Sequence, residues 1–203
     1  MKIISLFDYT GNWSKPYRDN GYDVIQIDIK HGCDILTWDY SKFVIANACN
    51  LDIYAILAAI PSTDYALAGA RWFREKDRDG RTEQSNKLVR KVFEIIMAVK
   101  PKIVAIENPI SRIHTLNPWM GKPHLKFNPC DYAGYDPVPE NSQYLKMTWL
   151  WGNFNLPAKK YRPPLVAYYP GWKNLGGKSE RTKTIRSTTP LGFAWAFYEA
   201  NHA

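Results

Sequence analysis

Two polar clusters in this chain carry residue types that could do chemistry. The first is Pro61-Ser62-Thr63-Asp64, which ends the apolar run Tyr-Ala-Ile-Leu-Ala-Ala-Ile at 54–60. The second is Glu107-Asn108-Pro109, which ends the apolar run Ile-Val-Ala-Ile at 103–106. A serine hydroxyl is a poor nucleophile unless a base activates it. No histidine lies near Ser62 in the sequence, and Asp64 is the weak base candidate at hand. Glu107 supplies a carboxyl at a strand end, and Asn108 and Pro109 would hold the loop around it. Two buried strands that each stop at such a cluster put both clusters at one edge of a parallel sheet. Open α/β folds place their chemistry at that edge.

A third set precedes these two. Phe7-Asp8-Tyr9-Thr10-Gly11-Asn12-Trp13-Ser14 follows the strand-like run 2–7. Gly11 can take positive φ and let the backbone come close to a ligand. A helix starting there would offer free N–H groups. One glycine falls far short of Gly-x-Gly-x-x-Gly, so a dinucleotide fold is disfavoured. Asp28, near the end of the second strand, could accept two hydrogen bonds from a ribose diol. Asp34, after His31-Gly32-Cys33, could reach an adenine amino group. The plainer alternative is that Asp8, Asp28 and Asp34 only cap loops or helices.

The elements that must position these residues read as alternating β and α. Strands are expected at 2–7, 23–29, 43–46, 54–60 and 103–107. Ser14 to Asn20 reads as a short helix with Ser14 as cap and Pro16 in its first turn. A longer helix is expected from a cap-like Thr82 to about Ala98. Leu88, Val89, Val92, Phe93, Ile96 and Met97 would form its buried face. Arg71 to Gly80 reads as a polar connection. Residues 110–175, rich in aromatics, Pro, Asn and Gly, read as a loop- and β-rich insert. The segment 173–187 is polar and basic, and Pro190 to Ala200 closes the chain as a helix with Phe193, Ala194, Phe197 and Tyr198 on one side. This order predicts one α/β domain over 1–203, with a three-layer, mostly parallel sheet.

Composition bounds the function classes. The 203 residues, 45% of them hydrophobic, with 8 Trp, 13 Tyr and 8 Phe, can build a real core and argue against disorder. The formal net charge of +8, from 27 basic and 19 acidic residues, favours a polyanionic partner. Cys33, Cys49 and Cys130 are far apart and odd in number, which argues against a disulfide framework. They make no spaced cluster with His31, His114, His124 and His202, so no metal site is expected. No apolar stretch approaches about 18 residues and no basic leader opens the chain, so an intracellular protein without a membrane span is expected.

Taken together, these motifs resemble the cytosine C5 DNA methyltransferase family, and in particular its short phage-type members. Phe7 to Trp13 is similar to the motif that wraps the methionine part of S-adenosylmethionine. Asp28 matches the ribose-binding acid and Asp34 the acid beside the adenine. Pro61-Ser62 matches the Pro-Cys nucleophile motif, and Glu107-Asn108 matches the glutamate motif. The stretch Arg186-Ser187-Thr188-Thr189-Pro190-Leu191-Gly192-Phe193-Ala194 looks like a C-terminal element that packs beside the first motif. The resemblance implies an S-adenosylmethionine-dependent methyltransferase fold. It implies methyl transfer to cytosine carbon 5 in DNA, in the cytoplasm of a bacterial or phage-infected cell. It also implies that Phe7, Asp8, Gly11, Trp13, Asp28, Asp34 and Pro61 bind cofactor, and that Ser62, Glu107 and Asn108 form the catalytic set.

The chain departs from the family in three places. It lacks a large target-recognition domain. The Gln-x-Arg-x-Arg motif that supports the target base is degenerate at Gln143-Tyr144-Leu145-Lys146. Ser62 stands where the family has cysteine. A thiol with a pKa of about 8.5 gives a useful thiolate fraction near neutrality, and a hydroxyl does not. Three explanations stay open for Ser62: an engineered Cys-to-Ser change, a natural chain that has lost turnover or uses another mechanism, and a different alignment of the motif.

In the family, the loop after the nucleophile closes over a flipped base. Here it carries Arg71, Trp72, Phe73, Arg74, Lys76, Arg78, Arg81 and Lys87. Basic residues there can neutralise phosphates, and an aromatic can stack. Lys146 joins this nucleic-acid set through the degenerate motif. Lys173, Lys178, Arg181, Lys183 and Arg186 form a second basic set. The expected partner is DNA with little sequence preference, with a free cytosine nucleotide as the alternative substrate. A methyltransferase-like scaffold that only binds DNA or protein is the alternative function.

Overall fold

The computed structural model describes residues 1–48, 53–166 and 179–203, with side chains undescribed at 46–48. Its centre is β3, Ile53–Ala59, where every residue but the last is buried. Such a strand needs cover on both faces, and it has it. The sheet runs β2-β1-β3-β4-β6-β5. Here β1 is Lys2–Leu6, β2 is Asp23–Ile27, β4 is Ile103–Pro109, β5 is Leu125–Phe127 and β6 is Thr148–Asn153. The first four strands in that sheet order are mutually parallel. β6 pairs antiparallel to β4, and β5 antiparallel to β6. This is an α/β fold with a mixed, largely parallel sheet flanked by helices.

One face packs on α4, Arg81–Val99. Val89, Val92, Ile95 and Val99 are buried there against Ile4, Leu6, Ile56, Ala58 and Ile106. Leu88, Phe93 and Ile96 pack at the margin of that cluster. Met97, expected on this face, is 70% exposed. It lies about 140° around the helix from Val92, outside the apolar stripe. The helix starts one residue before the expected Thr82, after Gly80 in the left-handed region at φ 86°. The Thr82 hydroxyl donates instead to Asp77 at 2.6 Å.

The other face packs on α1, Lys15–Asp19, and on the C-terminal helix, Leu191–Asn201. Trp13, Tyr17, Phe127, Tyr132, Phe193 and Phe197 are buried together there. The Phe127 and Phe193 rings stack at 4.1 Å. Gly192 lets this helix approach closely, because a Cβ there would lie 2.5 Å from the Tyr132 carbonyl oxygen.

Several expectations are corrected. Residues 43–46 lie in α2, Ser41–Ala48, and form no strand. The Asp39 carboxylate accepts from Ser41 N–H at its start, and Phe43 packs in the α4-side core. The connection 71–80 is structured as a 3₁₀ turn, Leu67–Trp72, followed by α3, Phe73–Arg78. β2 stops at Ile27 because Asp28 caps a 3₁₀ turn over Ile29–His31. Of the expected insert 110–175, residues 110–166 are described and hold α5 (Ile113–Leu116), β5, β6 and short 3₁₀ turns, and 167–175 lie outside the described residues. The basic segment at 180–187 is a helix, α6, Glu180–Ser187, with the Ser179 hydroxyl capping Thr182 N–H. We number the C-terminal helix α7. Residues 173–178 and Cys49 lie outside the described residues. No described helix is long and apolar enough to cross a membrane.

Candidate functional site

Parallel pairing brings the C-terminal ends of β1, β2, β3 and β4 to one edge. Each end leads into one of the clusters singled out in the sequence. At the end of β1, Phe7 takes φ 60°, a left-handed conformation uncommon for a residue with a side chain. Its N–H donates to the Ile27 carbonyl at 2.8 Å. Asp8 is buried, and its Oδ2 accepts from the Ser5 hydroxyl, the Ser14 N–H and the Ser14 hydroxyl. Asp8 therefore shapes the loop from inside. Ser14 spends its side chain on Asp8 and makes no cap bond to α1. Gly11 has φ 70°, and a Cβ there would press on the Gln26 amide at 3.0 Å. The Trp13 indole is fully buried against Phe193 and Phe197, so only its backbone faces the edge loop.

Asp28 and Asp34 do cap turns. Asp28 Oδ1 accepts from Lys30 N–H at 2.8 Å, and Asp34 Oδ1 accepts from Leu36 N–H at 2.9 Å. In both, Oδ2 has no hydrogen-bond partner among the described residues. Asp34 lines an open cleft of about 290 Å³ with Ile29, Leu36, Asp64, Arg81, Ser85 and Leu88. The cleft thus joins the segment after β2 to the loop after β3.

In that loop, Pro61 is exposed and Ser62 half-buried. The Ser62 carbonyl accepts from Tyr65 N–H and Ala66 N–H. Asp64 is committed elsewhere. Its carboxylate pairs with Lys76 at 3.0 Å and accepts from the Ser85 hydroxyl at 2.7 Å. No described side chain activates the Ser62 hydroxyl.

Glu107 is 9% exposed at the end of β4, and burial pushes its carboxyl above the ordinary range. Lys146 partly offsets this. Burial in turn pulls the Lys146 ammonium down, with Glu107 opposing the shift. Lys146 donates to the Arg186 carbonyl at 2.8 Å. Its charge lies near enough to Glu107 for each group to shift the other. Asn108 is fully buried, and its amide donates to the Ile60 carbonyl at 2.8 Å, tying the ends of β3 and β4 together. The closing stretch reaches the first loop through Asn12 Nδ2, which donates to the Thr189 carbonyl at 3.3 Å.

The basic set divides. Arg71, Trp72, Arg74 and Arg78 are exposed, with the Arg71 guanidinium 5.1 Å from the Trp72 ring centroid. Arg81 is exposed but ion-paired with Glu75 and Asp79. Lys76 is a correction to the nucleic-acid set. α3 turns it inward, where it is 7% exposed and bonded to Asp64 and the Thr63 carbonyl. Arg112 escaped the sequence reading. It donates to the Asp64 carbonyl, to both Asp77 oxygens and to Thr82, and stacks 3.7 Å over Phe73. Its carboxylate partner lies 35 positions away, and no local pattern announces such a pair.

Among known proteins, no family model matches the chain. Sialidase-2 of Mus musculus is 30% identical over 98 residues, covering 46% of this chain. The chain spans 25% of that protein's length, and so partial a match assigns no family.

Two outcomes follow from the site's electrostatics. Lys76→Ala leaves the Asp64 carboxylate buried without its cation, and should cost about 3–5 kcal/mol in a urea unfolding titration. A loss of under about 1 kcal/mol would return Lys76 to the surface set. Because the folded pKa of Glu107 is raised, the native state holds its proton longer than the unfolded chain does. Stability from this group therefore falls as pH rises above the ordinary carboxylate range. Glu107→Gln mimics the protonated form, so its melting temperature relative to wild type should climb from pH 5 to pH 8. A constant offset across that range would show that Glu107 is ionised throughout.

Proposed function

We propose that this edge binds S-adenosylmethionine and a cytosine in DNA, and that Ser62 limits methyl transfer to cytosine carbon 5. The observation that carries this is the convergence of four strand-end clusters, in the family's order, on one edge of a largely parallel sheet. Three contacts add support: Asn12 to Thr189, Asn108 to Ile60, and Lys146 beside Glu107. The fold is read as the S-adenosylmethionine-dependent methyltransferase type on the same grounds.

The residues present fit the cofactor. Oδ2 of Asp28 is available to a ribose hydroxyl, and Asp34 borders a cleft flanked by the apolar Ile29, Leu36 and Leu88. Gly11 at positive φ keeps the loop after β1 free of side-chain bulk. Phe7 and Pro61 complete the rim, while Asp8 and Trp13 act from within by fixing the loop. When bound, the cofactor supplies an electrophilic methyl group on a sulfonium.

The chain's own groups then address the base. A carboxyl that carries a proton donates one hydrogen bond and accepts another, and burial of Glu107 favours that form. Cytosine N3 is an acceptor and its exocyclic amine a donor, which is the complementary pattern. Glu107 can therefore hold the ring and stabilise its activated form. Addition at carbon 6 would make carbon 5 nucleophilic, and Ser62 stands where that addition must start. Its hydroxyl stays protonated near neutrality, and Asp64 cannot take the proton while it serves Lys76. That engagement of Asp64 favours a second reading, in which the chain is a catalytically inactive module that still binds cofactor and DNA or protein.

One experiment separates these. Ser62→Cys should create or restore tritium release from 5-tritiated cytosine in DNA, with 5-methylcytosine found by mass analysis of the digest. A further Glu107→Gln change should abolish it. Free deoxycytidine nucleotides belong in the same assay as the competing substrate. Calorimetry with S-adenosylhomocysteine supplies the cofactor arm, where Asp28→Ala should weaken binding by roughly 1.5–3 kcal/mol. Equal activity of the serine and cysteine forms would remove Ser62 from the nucleophile position. Cofactor binding with both forms inert would establish the binding module.

A further inference from the structure

We infer that α6 is a cationic strap that holds the phosphates of a nucleic-acid strand against the C-terminal edge of the sheet. The inference rests on the proposed site and places a second basic surface for the polymer beside it. Contacts fix where α6 lies. Near its start, Lys30 from the segment after β2 donates to the Thr184 hydroxyl at 2.8 Å and pairs with Glu180 at 3.4 Å. At its end, the Arg186 carbonyl accepts from Lys146, the residue beside Glu107. Thr189, just beyond, accepts from Asn12. The helix therefore runs from the Asp28 turn to the Glu107 corner. Thr182 is buried and Ile185 half-buried on its inner side.

Arg181, Lys183 and Arg186 are exposed around the rest of the helix, Lys183 and Arg186 about 60° apart and Arg181 on the other flank of the inner side. Glu180, the one acid in the helix, is drawn toward Lys30 and Lys183. Across the edge, α3 and the turn before it expose Arg71, Trp72, Arg74 and Arg78. They are held there by Lys76 on Asp64 and by Arg112 on Asp77. Two basic banks thus flank the loops that carry Ser62 and Glu107. An eight-residue helix is about 12 Å long. At about 3.4 Å per nucleotide along a duplex strand, that spans three to four phosphates. A mononucleotide meets such an array at one point, and a strand meets it along its length. Charge complementarity therefore commits the surface to a polymer.

The test is anisotropy with a short fluorescein-labelled DNA duplex across a sodium chloride series. Removing three phosphate contacts should flatten the slope of log K against log salt by roughly 2.7. That is the expected result for R181A/K183A/R186A. The control K2A/K102A removes two cations at the opposite edge, the half-buried Lys2 and the exposed Lys102, and should leave the slope unchanged. If the triple variant melts early, the pair R181E/K183E carries the same test with a larger expected loss. A triple-variant slope equal to wild type overturns the strap, as does salt-insensitive binding by the wild type or an equal drop in the control. The S-adenosylhomocysteine titration keeps the two inferences apart. Cofactor binding with an unchanged slope sinks the strap alone. A flattened slope without cofactor binding keeps the strap and sinks the methyltransferase assignment.

Discussion

The hydrogen bond from the Asn108 amide to the Ile60 carbonyl is short, fully buried, and placed just past the last β3–β4 pair, where β3 has ended and β4 continues against β6. Beyond that point the β3–β4 ladder offers no further pairing, and the chain leaving β3 would ordinarily diverge. The amide ties it to β4 in the ladder's place. Arg112 then repeats the device one turn further out. Its N–H donates to the Tyr65 carbonyl, and its guanidinium reaches the Asp64 carbonyl and the Asp77 carboxylate. Tyr65, itself buried, donates to Asn86 of α4, and Asn117 donates to the same Asn86 oxygen. The loop that carries Ser62 is thus fixed from β4, α3 and α4 together. A loop so over-determined can hold a side chain at a set position, which chemistry at a strand end requires.

Burial is distributed unevenly among the charges at this edge, and the distribution assigns roles. Asp64 and Lys76 neutralise each other inside, which makes them structural. Glu107 and Lys146 are near enough to influence one another, yet form no ion pair within contact distance among the described residues. Each remains partly uncompensated. Structural ion pairs are closed by their partners, whereas a group that must receive a ligand keeps a vacancy in its hydrogen bonding. On the proposed reading, Glu107 is the carboxyl of the edge that meets a ligand, and Asp8 and Asp64 hold the loops around it.

The same contrast explains what could be read before the fold was known. Strands β1, β3 and β4 and helix α4 were legible because their burial is written as local periodicity. Residues 43–46 misled because a four-residue apolar run suits a strand or a helix equally, and Asp39 decided it by capping. Glu107 and Asn108 were legible through their position after an apolar run, although β4 carries on through both to Pro109. Lys76 was not, since its inward direction depends on Asp64 twelve positions earlier and on the turn of α3 between them. Arg112 was invisible for the same reason at longer range. The segment 173–187 read only as polar and basic, because the inner face of its helix is Thr182 and Ile185, too little apolar surface to show helical spacing. Contacts with Lys30 and Lys146 set its place in the fold.

Ser62 concentrates the remaining question into a single atom. Everything that surrounds it is built: the strand end, the amide bridge, the guanidinium brace, the buried carboxyl across the way. A scaffold drifting freely after loss of chemistry would have no physical reason to keep Glu107 desolvated. A desolvated carboxyl lowers stability near neutral pH, and any exposed or apolar replacement would relieve it. On the proposed reading, base recognition is the property the edge retains, whether or not Ser62 completes the reaction. The nucleophile position then decides between turnover and capture, because a site that binds the base without adding to it holds its substrate and releases it unchanged.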